Sequence, residues 1–245
     1  MLRQFFYLIY SLYFFVVVVV SFVLFSLTIL PAYPFLGQRK HFYYALWAKK
    51  WGQTILWLTG LSPKVTGELP KDKGPWIFLL NHQSQLDILI ALAFLPAGFL
   101  FVAKEELFKI PLLGHSMRFC GYIPIRRNQS RKSAETLNQL KQLIAEGTSV
   151  LIFPEGTRSL TGKLGPIKRG SLVLAYESKT RSIPIVMNPA YQIMPKGSFF
   201  LRPQHIRITV GQPITFDWND PKPDYTAQAE QIHGIMSELL ASIKV

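Results

Sequence analysis

The N-terminal part of the chain contains a long stretch without any charged residue. From Phe5 to Leu30, 26 consecutive residues include no Asp, Glu, Lys or Arg. As an α-helix this stretch would rise ~39 Å, which exceeds the ~30 Å hydrocarbon core of a bilayer. It is too long for the apolar region of a signal peptide, and no small-residue cleavage site follows it. The sequence therefore predicts a membrane anchor.

A second segment, from His41 to Leu61, is rich in aromatic residues but carries Lys49 and Lys50 near its centre. This pattern is typical of a helix that lies at the membrane surface. Two arrangements fit the pair equally: the first segment crosses the bilayer, or the prolines between the segments turn the chain so that both stay in one leaflet. More Lys and Arg follow the first segment than precede it, so the positive-inside rule predicts that the remaining chain is cytoplasmic.

The charge balance predicts an anionic partner. The formal net charge is +13, while charged residues make up only 17% of the chain and hydrophobic residues 49%. An anionic bilayer and a phosphorylated substrate both fit this balance. Nucleic acid does not, because the positive charge is not gathered in a recognised nucleic-acid module and the N-terminus is lipid-like. The single cysteine, Cys120, excludes an internal disulfide and is expected to be buried.

The pattern changes after residue 61. Residues 62–75 contain Pro, Gly and Lys and are typical of a loop, so we place a boundary there between a helical anchor, residues 1–61, and a second domain, residues 62–245. In that domain apolar runs alternate with segments of helical periodicity at residues 137–144 and 229–243, which predicts an α/β domain with a mixed sheet. The predicted strands are Trp76–Leu80, Phe99–Ala103, Tyr122–Ile125, Val150–Phe153, Ile183–Val186 and His205–Val210.

A polar motif, Asn81-His-Gln-Ser-Gln-Leu-Asp87, follows the first predicted strand. His82 and Asp87 are five positions apart, so at ~100° per residue they would lie on different faces of a regular helix. They can meet only if the chain turns after Leu80 and a helix starts near Ser84, and the carboxylate would then fix the tautomer of the imidazole. The alternative is structural, because Ser84 and Asp87 also match a capping box.

A second motif, Phe153-Pro-Glu-Gly-Thr-Arg-Ser159, also follows an apolar run. Together the two motifs, NHQSxxD and FPEGTRS, resemble the first and third motifs of the glycerolipid acyltransferases, and most of all those of the 1-acylglycerol-3-phosphate (lysophosphatidic acid) acyltransferases. The resemblance covers roughly residues 62–213. It implies transfer of an acyl group from acyl-CoA or acyl-carrier protein to the free hydroxyl of lysophosphatidic acid, giving phosphatidic acid. We expect no cofactor beyond that co-substrate and no metal.

The resemblance assigns His82 as the general base and Asp87 as its orienting partner. This agrees with the chemistry, because a histidine near neutral pH is suited to remove a hydroxyl proton as the oxygen attacks a thioester. No nucleophilic Ser or Cys is required, so direct transfer within a ternary complex is expected. The remaining histidines lack a comparable partner in the sequence and are expected to be structural or exposed: His41, His115, His205 and His233.

The acceptor phosphate needs cations with fixed geometry, which favours Arg over Lys. The loop from Glu155 through Gly156 and Thr157 to Arg158 is the first candidate, with Arg158 on the phosphate. Glu155 is expected to orient that arginine or to hold the acceptor hydroxyl, and Gly156 permits a tight turn. Without the first motif, the default interpretation would be a surface turn with a local Glu–Arg pair.

Three further cations are candidates through the resemblance. Residues 121–127, Gly-Tyr-Ile-Pro-Ile-Arg-Arg, are similar to the second family motif and place Arg127 at the phosphate-binding arginine, although Pro124 replaces the usual Phe and Arg126 a common acidic residue. Lys104 stands where the family often has a lysine after a strand. Lys168 lies in Lys-Arg-Gly, which is similar to the Phe-Lys-x-Gly of the family. An exposed surface lysine is the alternative for Lys104.

Two other functions remain open at this level. Residues 183–189 resemble the fourth family motif, but Met187 replaces its second proline, and this departure leaves room for another lyso-lipid acceptor, such as a lysophospholipid or an amino-acid lipid. A non-catalytic, basic protein of the membrane surface is the alternative from a different class. A hydrolase with Ser84 as nucleophile is disfavoured, because no Gly-x-Ser-x-Gly motif surrounds it.

Overall fold

The computed structural model describes residues 2–37, 40–72, 74–125 and 130–243. Helices alternate with strands after an N-terminal pair of helices. The helices are α1 (Leu2–Ile29), α2 (Lys40–Leu58), α3 (Leu86–Phe94), α4 (Leu113–Phe119), α5 (Ser130–Ala145), α6 (Arg169–Glu177), α7 (Ala190–Ile193) and α8 (Tyr225–Ser242). The strands are β1 (Lys64–Thr66), β2 (Ile77–Leu80), β3 (Leu100–Lys104), β4 (Ile123–Ile125), β5 (Val150–Ile152), β6 (Ser182–Asn188) and β7 (Arg207–Val210).

The strands form one seven-stranded sheet in the order β1-β7-β6-β2-β5-β3-β4. The five strands from β6 to β4 are parallel to their neighbours, whereas β7 is antiparallel to β6 and carries β1 parallel to itself. The predicted α/β architecture with a mixed sheet is therefore confirmed. Strand β1 was missed by the sequence analysis, which placed it in a loop, because its three residues are all exposed and show no apolar pattern.

Two layers of helices cover the sheet. Strand β2 is buried on both faces: Phe78 and Leu80 pack in one hydrophobic cluster, and Ile77 and Leu79 in the other. The first cluster joins the sheet to α1, α2, α3 and α4, and the second joins it to α5, α6 and α8. A strand that is covered on both faces has no polar side, which is why this one appears in the sequence as a continuous apolar run.

Helices α1 and α2 form an antiparallel hairpin. Near one end the Tyr10 hydroxyl donates to the carbonyl of Thr59 at 2.7 Å, and near the other the Tyr44 hydroxyl donates to the carbonyl of Ile29 at 3.1 Å. The outer side of α1 remains apolar and exposed along its length. Among the described residues, α1 is the one helix with the length and hydropathy to cross a membrane, and it is a candidate membrane anchor.

Helix α2 packs between α1 and the sheet domain rather than standing apart from it. The Lys49 ammonium donates to the carbonyl of Leu95 at 2.8 Å, and the Gln53 amide donates to the carbonyl of Ala93 at 3.1 Å. Both acceptors lie at the C-terminal end of α3, where carbonyls lack helical partners and attract a positive charge. Lys49, which the sequence analysis assigned to the membrane surface, therefore also binds the end of a core helix.

Candidate active site

The carboxyl ends of β2, β5 and β3 lie at the same edge of the sheet, because these strands are parallel neighbours. The first motif leaves the sheet after β2, and the second motif leaves it after β5. Strand order therefore brings together two segments that are separated by about 70 residues in the sequence. Crevices at the carboxyl ends of parallel strands are the usual ligand sites of open α/β sheets.

His82 and Asp87 meet at this edge. Nδ1 of His82 lies 2.8 Å from Oδ2 of Asp87, and the backbone N–H groups of Gln83 and Ser84 donate to that same oxygen at 2.6 and 2.8 Å. The turn that the spacing requires is present, with α3 starting at Leu86. Because two amides donate to Oδ2, this oxygen is an acceptor, so Nδ1 carries the proton and Nε2 keeps a free lone pair.

The structural and the chemical interpretation of this motif turn out to be compatible. Asp87 lies in the first turn of α3 and accepts the N–H of Ser84, while the Ser84 hydroxyl accepts the N–H of Leu86 at 3.2 Å. This is the reciprocal bonding of a helix N-terminus. The Ser84 hydroxyl also donates to the carbonyl of Met194 at 2.8 Å. The Asp87 carboxylate thus both stabilises the start of α3 and holds the imidazole. The Ser84 hydroxyl donates one hydrogen bond and accepts another.

The imidazole of His82 is positioned by an aromatic contact as well as by the hydrogen bond at Nδ1. Its ring stacks on Phe153, with centroids 3.9 Å apart and an angle of 19° between the planes. The His82 side chain is 12% exposed, whereas that of Asp87 is fully buried. The carboxylate is therefore shielded from water while part of the His82 side chain stays accessible, as a base that meets a substrate must be.

Glu155 ties the two motifs together. Its Oε1 accepts the backbone N–H of His82 at 2.7 Å, and its Oε2 accepts that of Gly165 at 2.8 Å. The sequence predicts that this carboxylate orients Arg158 or holds the acceptor hydroxyl, whereas in the structure both oxygens bond to backbone amides. Burial raises the pKa of Glu155 above its ordinary value, against the two amide hydrogen bonds, which lower it. The residue positions the backbone that carries His82.

The loop of the second motif is a tight turn. Gly156 has a positive φ of 69°, a conformation that favours glycine, and its N–H donates to the carbonyl of Phe153 at 2.9 Å. The N–H of Lys168 donates to the carbonyl of Pro154 at 2.7 Å. A Cβ on Gly156 would lie 3.4 Å from Cγ of Lys168. The structure therefore brings the predicted Lys168 alongside the loop.

The cations of this loop differ in their contacts. Arg158 is half-buried, and its guanidinium has no ion pair or hydrogen bond within the part of the chain that the structure describes. The hydroxyl of Thr157 accepts from the ammonium of Lys196 at 3.4 Å. Lys196 is a cation that the sequence analysis missed, because no local motif marks it and 39 positions separate it from Thr157.

The other two predicted cations are Lys104 and Arg127. Lys104 ends β3 at the active edge, but its side chain is 60% exposed and lies 3.6 Å from Glu106. Arg127 lies outside the described residues. Of the other histidines, His41 Nδ1 is 2.8 Å from the carbonyl of Phe119, and none of the four forms an ion pair with a carboxylate among the described residues.

The described residues contain no group of three or more His, Cys, Asp or Glu side chains that could hold a metal ion. The site residues therefore offer hydrogen-bonding and acid–base chemistry. Cys120 is buried, as expected, and burial raises the pKa of its thiol to about 12. A thiol with so high a pKa is inert near neutral pH, so this residue is a structural one.

An open α/β sheet with a His–Asp pair and a cationic loop at its carboxyl edge fits an enzyme that uses acid–base chemistry, and comparison with known proteins identifies its class as a transferase. Residues 62–188 match the acyltransferase family, and the chain belongs to that family. It is 33% identical to the 1-acyl-sn-glycerol-3-phosphate acyltransferase LPAT1, chloroplastic, of Arabidopsis thaliana over 182 residues, 74% of this chain and 50% of that protein. It is also 33% identical to a 1-acyl-sn-glycerol-3-phosphate acyltransferase of Saccharomyces cerevisiae, over 76% of this chain and 62% of that protein.

A solved structure is similar over its whole length. The crystal structure of the 1-acyl-sn-glycerophosphate (LPA) acyltransferase PlsC from Thermotoga maritima matches with a TM-score of 0.83 and 26% identity, over 99% of each chain. The matched region spans about half of the plant chloroplast relatives, whereas the likeness to the bacterial structure includes the two N-terminal helices.

Proposed function

We propose that the protein acylates the free hydroxyl of 1-acyl-sn-glycerol 3-phosphate to give phosphatidic acid. The observation that carries this proposal is the His82–Asp87 pair, in which Nδ1 is bound to the carboxylate so that Nε2 is the nitrogen left for a substrate, beside a cationic loop. A non-catalytic membrane-surface protein would have no use for a histidine whose tautomer is fixed in this way. The names of the relatives support lysophosphatidic acid as the acceptor.

The geometry supports direct transfer. Nε2 of His82 removes the proton of the acceptor hydroxyl while its oxygen attacks the thioester carbonyl. The tetrahedral intermediate then collapses, the C–S bond breaks, and the leaving thiolate receives the proton from the imidazolium. Asp87 stays ionised throughout and stabilises the positive imidazolium. No acyl-enzyme forms, which agrees with the engaged hydroxyl of Ser84 and the buried thiol of Cys120.

The acceptor phosphate is proposed to bind at the loop that follows β5. Arg158 has a guanidinium available for a bidentate contact, a geometry well matched to phosphate. Lys168 runs alongside Gly156 and adds positive charge. Arg127 and Lys104 remain proposals from the resemblance. Glu155 is proposed to act through the backbone of His82 instead of touching the acceptor.

The acyl donor is proposed to be acyl-CoA or an acyl-carrier protein, with no other cofactor. Both donors are acidic, and the net charge of +13 favours either.

The acceptor is a membrane lipid, and the membrane anchor keeps the active site close to it. Because α1 packs along α2, and α2 packs on α3, a crossing by α1 would draw α2 and the flank of the domain into the hydrocarbon. We therefore propose that the hairpin enters one leaflet, from the cytoplasmic side.

The reaction is tested with purified protein in anionic vesicles, supplied with lysophosphatidic acid and either donor, and with product measured by mass spectrometry. We expect phosphatidic acid from the wild-type protein and a loss of ~10²–10⁴-fold in rate for His82→Ala. Other lyso-lipids are run in parallel. Acylation of one of them in place of lysophosphatidic acid would contradict the proposed acceptor, and undiminished turnover by His82→Ala would contradict the proposed base.

A further inference from the structure

The loop of residues 195–200, which follows α7, exposes two adjacent aromatic side chains. Phe199 is 73% exposed and Phe200 is 53% exposed. Two exposed Lys and Arg side chains, Lys196 and Arg202, flank the pair. Exposed aromatic residues between cations are typical of segments that insert into an anionic membrane surface, where the rings enter the lipid and the cations bind the headgroups.

This loop is a fixed turn. The N–H of Ser198 donates to the carbonyl of Pro195 at 3.1 Å, and the N–H of Phe200 donates to the Ser198 hydroxyl at 3.0 Å. Gly197 has a φ of 84°, which favours glycine. The two phenyl rings are therefore presented outward by a turn with its own hydrogen bonds.

The residues on either side of the loop bond to the first motif and to helix α1. Before the loop, the carbonyl of Met194 accepts the hydroxyl of Ser84, which belongs to the first motif. After it, the N–H of the fully buried Leu201 donates to the Ser11 hydroxyl of α1 at 2.8 Å. The ring of Phe199 also lies 6.1 Å from that of Phe15 in α1. The exposed phenyl rings thus continue the apolar surface of the anchor helix.

The same loop contacts the second motif, because the ammonium of Lys196 reaches the hydroxyl of Thr157. A short turn therefore touches the anchor helix, the segment that carries His82 and the loop that carries Arg158. Binding of the turn to a bilayer would therefore also position the Lys196 ammonium at Thr157, the residue before Arg158.

We propose that residues 195–200 are a second membrane-binding element, which inserts Phe199 and Phe200 into an anionic phospholipid bilayer beside α1 and holds Lys196 at the phosphate-binding loop. The part that concerns Lys196 rests on the proposed acyltransferase function, with Lys196 as an additional cation for the acceptor phosphate. The insertion itself does not depend on the reaction.

Insertion is tested with a fluorophore on the loop. Cys120 is buried, so Phe199→Cys carries one accessible thiol for an environment-sensitive label. The full chain is reconstituted in vesicles of phosphatidylcholine and phosphatidylglycerol, with or without brominated lipid. The control is Glu146→Cys with the same label, because Glu146 is exposed and follows α5 at the opposite edge of the sheet.

We expect the label at position 199 to shift its emission to shorter wavelength and to be quenched by brominated lipid, and the label at position 146 to do neither. Equal behaviour of the two labels would overturn the proposal. Because this readout needs no turnover, a protein that acylates no lyso-lipid but inserts its loop would disprove the proposed function and leave the membrane-binding element in place.

The role of Lys196 is tested by kinetics in the same vesicles. We expect Lys196→Ala to raise KM for lysophosphatidic acid about tenfold with little change in kcat, since a rim cation contributes to binding more than to the chemical step, and we expect Lys196→Arg to restore most of it. Lys222→Ala removes another exposed lysine, from the loop before α8, and is expected to behave as wild type. An unchanged KM in Lys196→Ala would remove this residue from the site.

Discussion

At the scale of residues, Asp87 concentrates three hydrogen bonds on one oxygen, Oδ2. Two of the donors are backbone amides, so the atom at this position must be an acceptor. An asparagine can meet this requirement with its carbonyl oxygen, which keeps the tautomer of His82 and the start of α3. What it cannot provide is the negative charge that stabilises the imidazolium.

We therefore expect Asp87→Asn to unfold near the wild-type temperature while kcat falls about 10- to 100-fold, the range of the ~1.5–3 kcal/mol that a charged hydrogen bond contributes. Asp87→Ala also loses both amide contacts and is expected to be less stable by ~0.5–2 kcal/mol, the usual cost of a lost helix cap. Thermal unfolding in detergent and initial rates measure the two effects. Equal stability of the Asn and Ala variants would contradict the capping role.

Glu155 provides a second prediction at this scale. Glutamine has only one acceptor oxygen, so Glu155→Gln must place an amide N–H against the N–H of either His82 or Gly165. We expect a loss of ~1–3 kcal/mol in stability and a lower kcat, since the His82 backbone shifts. Glu230→Gln, at an exposed position of α8, is the matched surface control and should change neither quantity.

This effect depends on pH, because burial raises the pKa of Glu155 above its ordinary value of 4.5. The folded protein then holds the proton more tightly than the unfolded chain does. The favourable contribution of protonation is fully present below pH 4.5 and is lost as the pH rises through the raised pKa. The free energy of unfolding of the wild type relative to Glu155→Gln should therefore decrease as the pH rises from 4.5 through the raised pKa. Unfolding measured at a series of pH values tests this. An increase over that pH interval would contradict the raised pKa of Glu155.

At the scale of elements, Gly52 sets the distance between α2 and α3. A Cβ at this position would lie 3.0 Å from the carbonyl oxygen of Leu89 and 3.1 Å from the backbone nitrogen of Ala93. Both neighbours are backbone atoms, which cannot rotate away. The two helices approach closely only because this residue is a glycine.

Gly52→Ala should destabilise the protein by ~1–3 kcal/mol through overpacking, in spite of the higher helix propensity of alanine. The matched control is Gly234→Ala in α8, where a Cβ meets nothing within 4 Å. It should be stabilised by up to ~1 kcal/mol, the propensity difference between the two residues. Unfolding of both variants in detergent separates packing from propensity, and stabilisation of Gly52→Ala would show that α2 can move off α3.

The elements that the sequence predicted correctly are those with strong local patterns. Strand β2, buried on both faces, and the amphipathic α5 and α8 carry such patterns, and so do the motifs at the strand ends. Strand β1 does not, because its exposed residues belong to the sheet only through pairing with β7, which lies more than 140 positions away. The partners of Glu155 were missed for a related reason: they are backbone groups, which leave no trace in the sequence. Lys196 was missed because only the tertiary fold brings it to Thr157.

At the scale of the whole molecule, the two N-terminal helices share a hydrophobic cluster with the sheet. Ile55 and Leu56 of α2, together with Leu61 beyond it, are almost fully buried in the same cluster as Phe78 and Leu80 of the sheet. Removal of residues 1–61 would expose one face of the domain core.

We expect a chain truncated before residue 62 to aggregate on expression, instead of yielding a soluble, active domain. Fractionation and size-exclusion chromatography of the truncated protein provide the test. The comparison is a chain that lacks only residues 1–37, which retains α2 and should be recovered in detergent more readily. A monodisperse, soluble fragment without residues 1–61 would show that the anchor and the domain fold independently.

The hydrogen bond between Ser11 and Leu201 joins residues that are 190 positions apart. During synthesis α1 leaves the ribosome well before Leu201, so this helix can reach the bilayer while the chain that completes its contacts is still being made. Closing so long a loop is slow in free solution because the ends seldom meet. On a bilayer both ends are restricted to one surface, so we expect the membrane to act as a folding template: the protein should refold faster with vesicles present than without them.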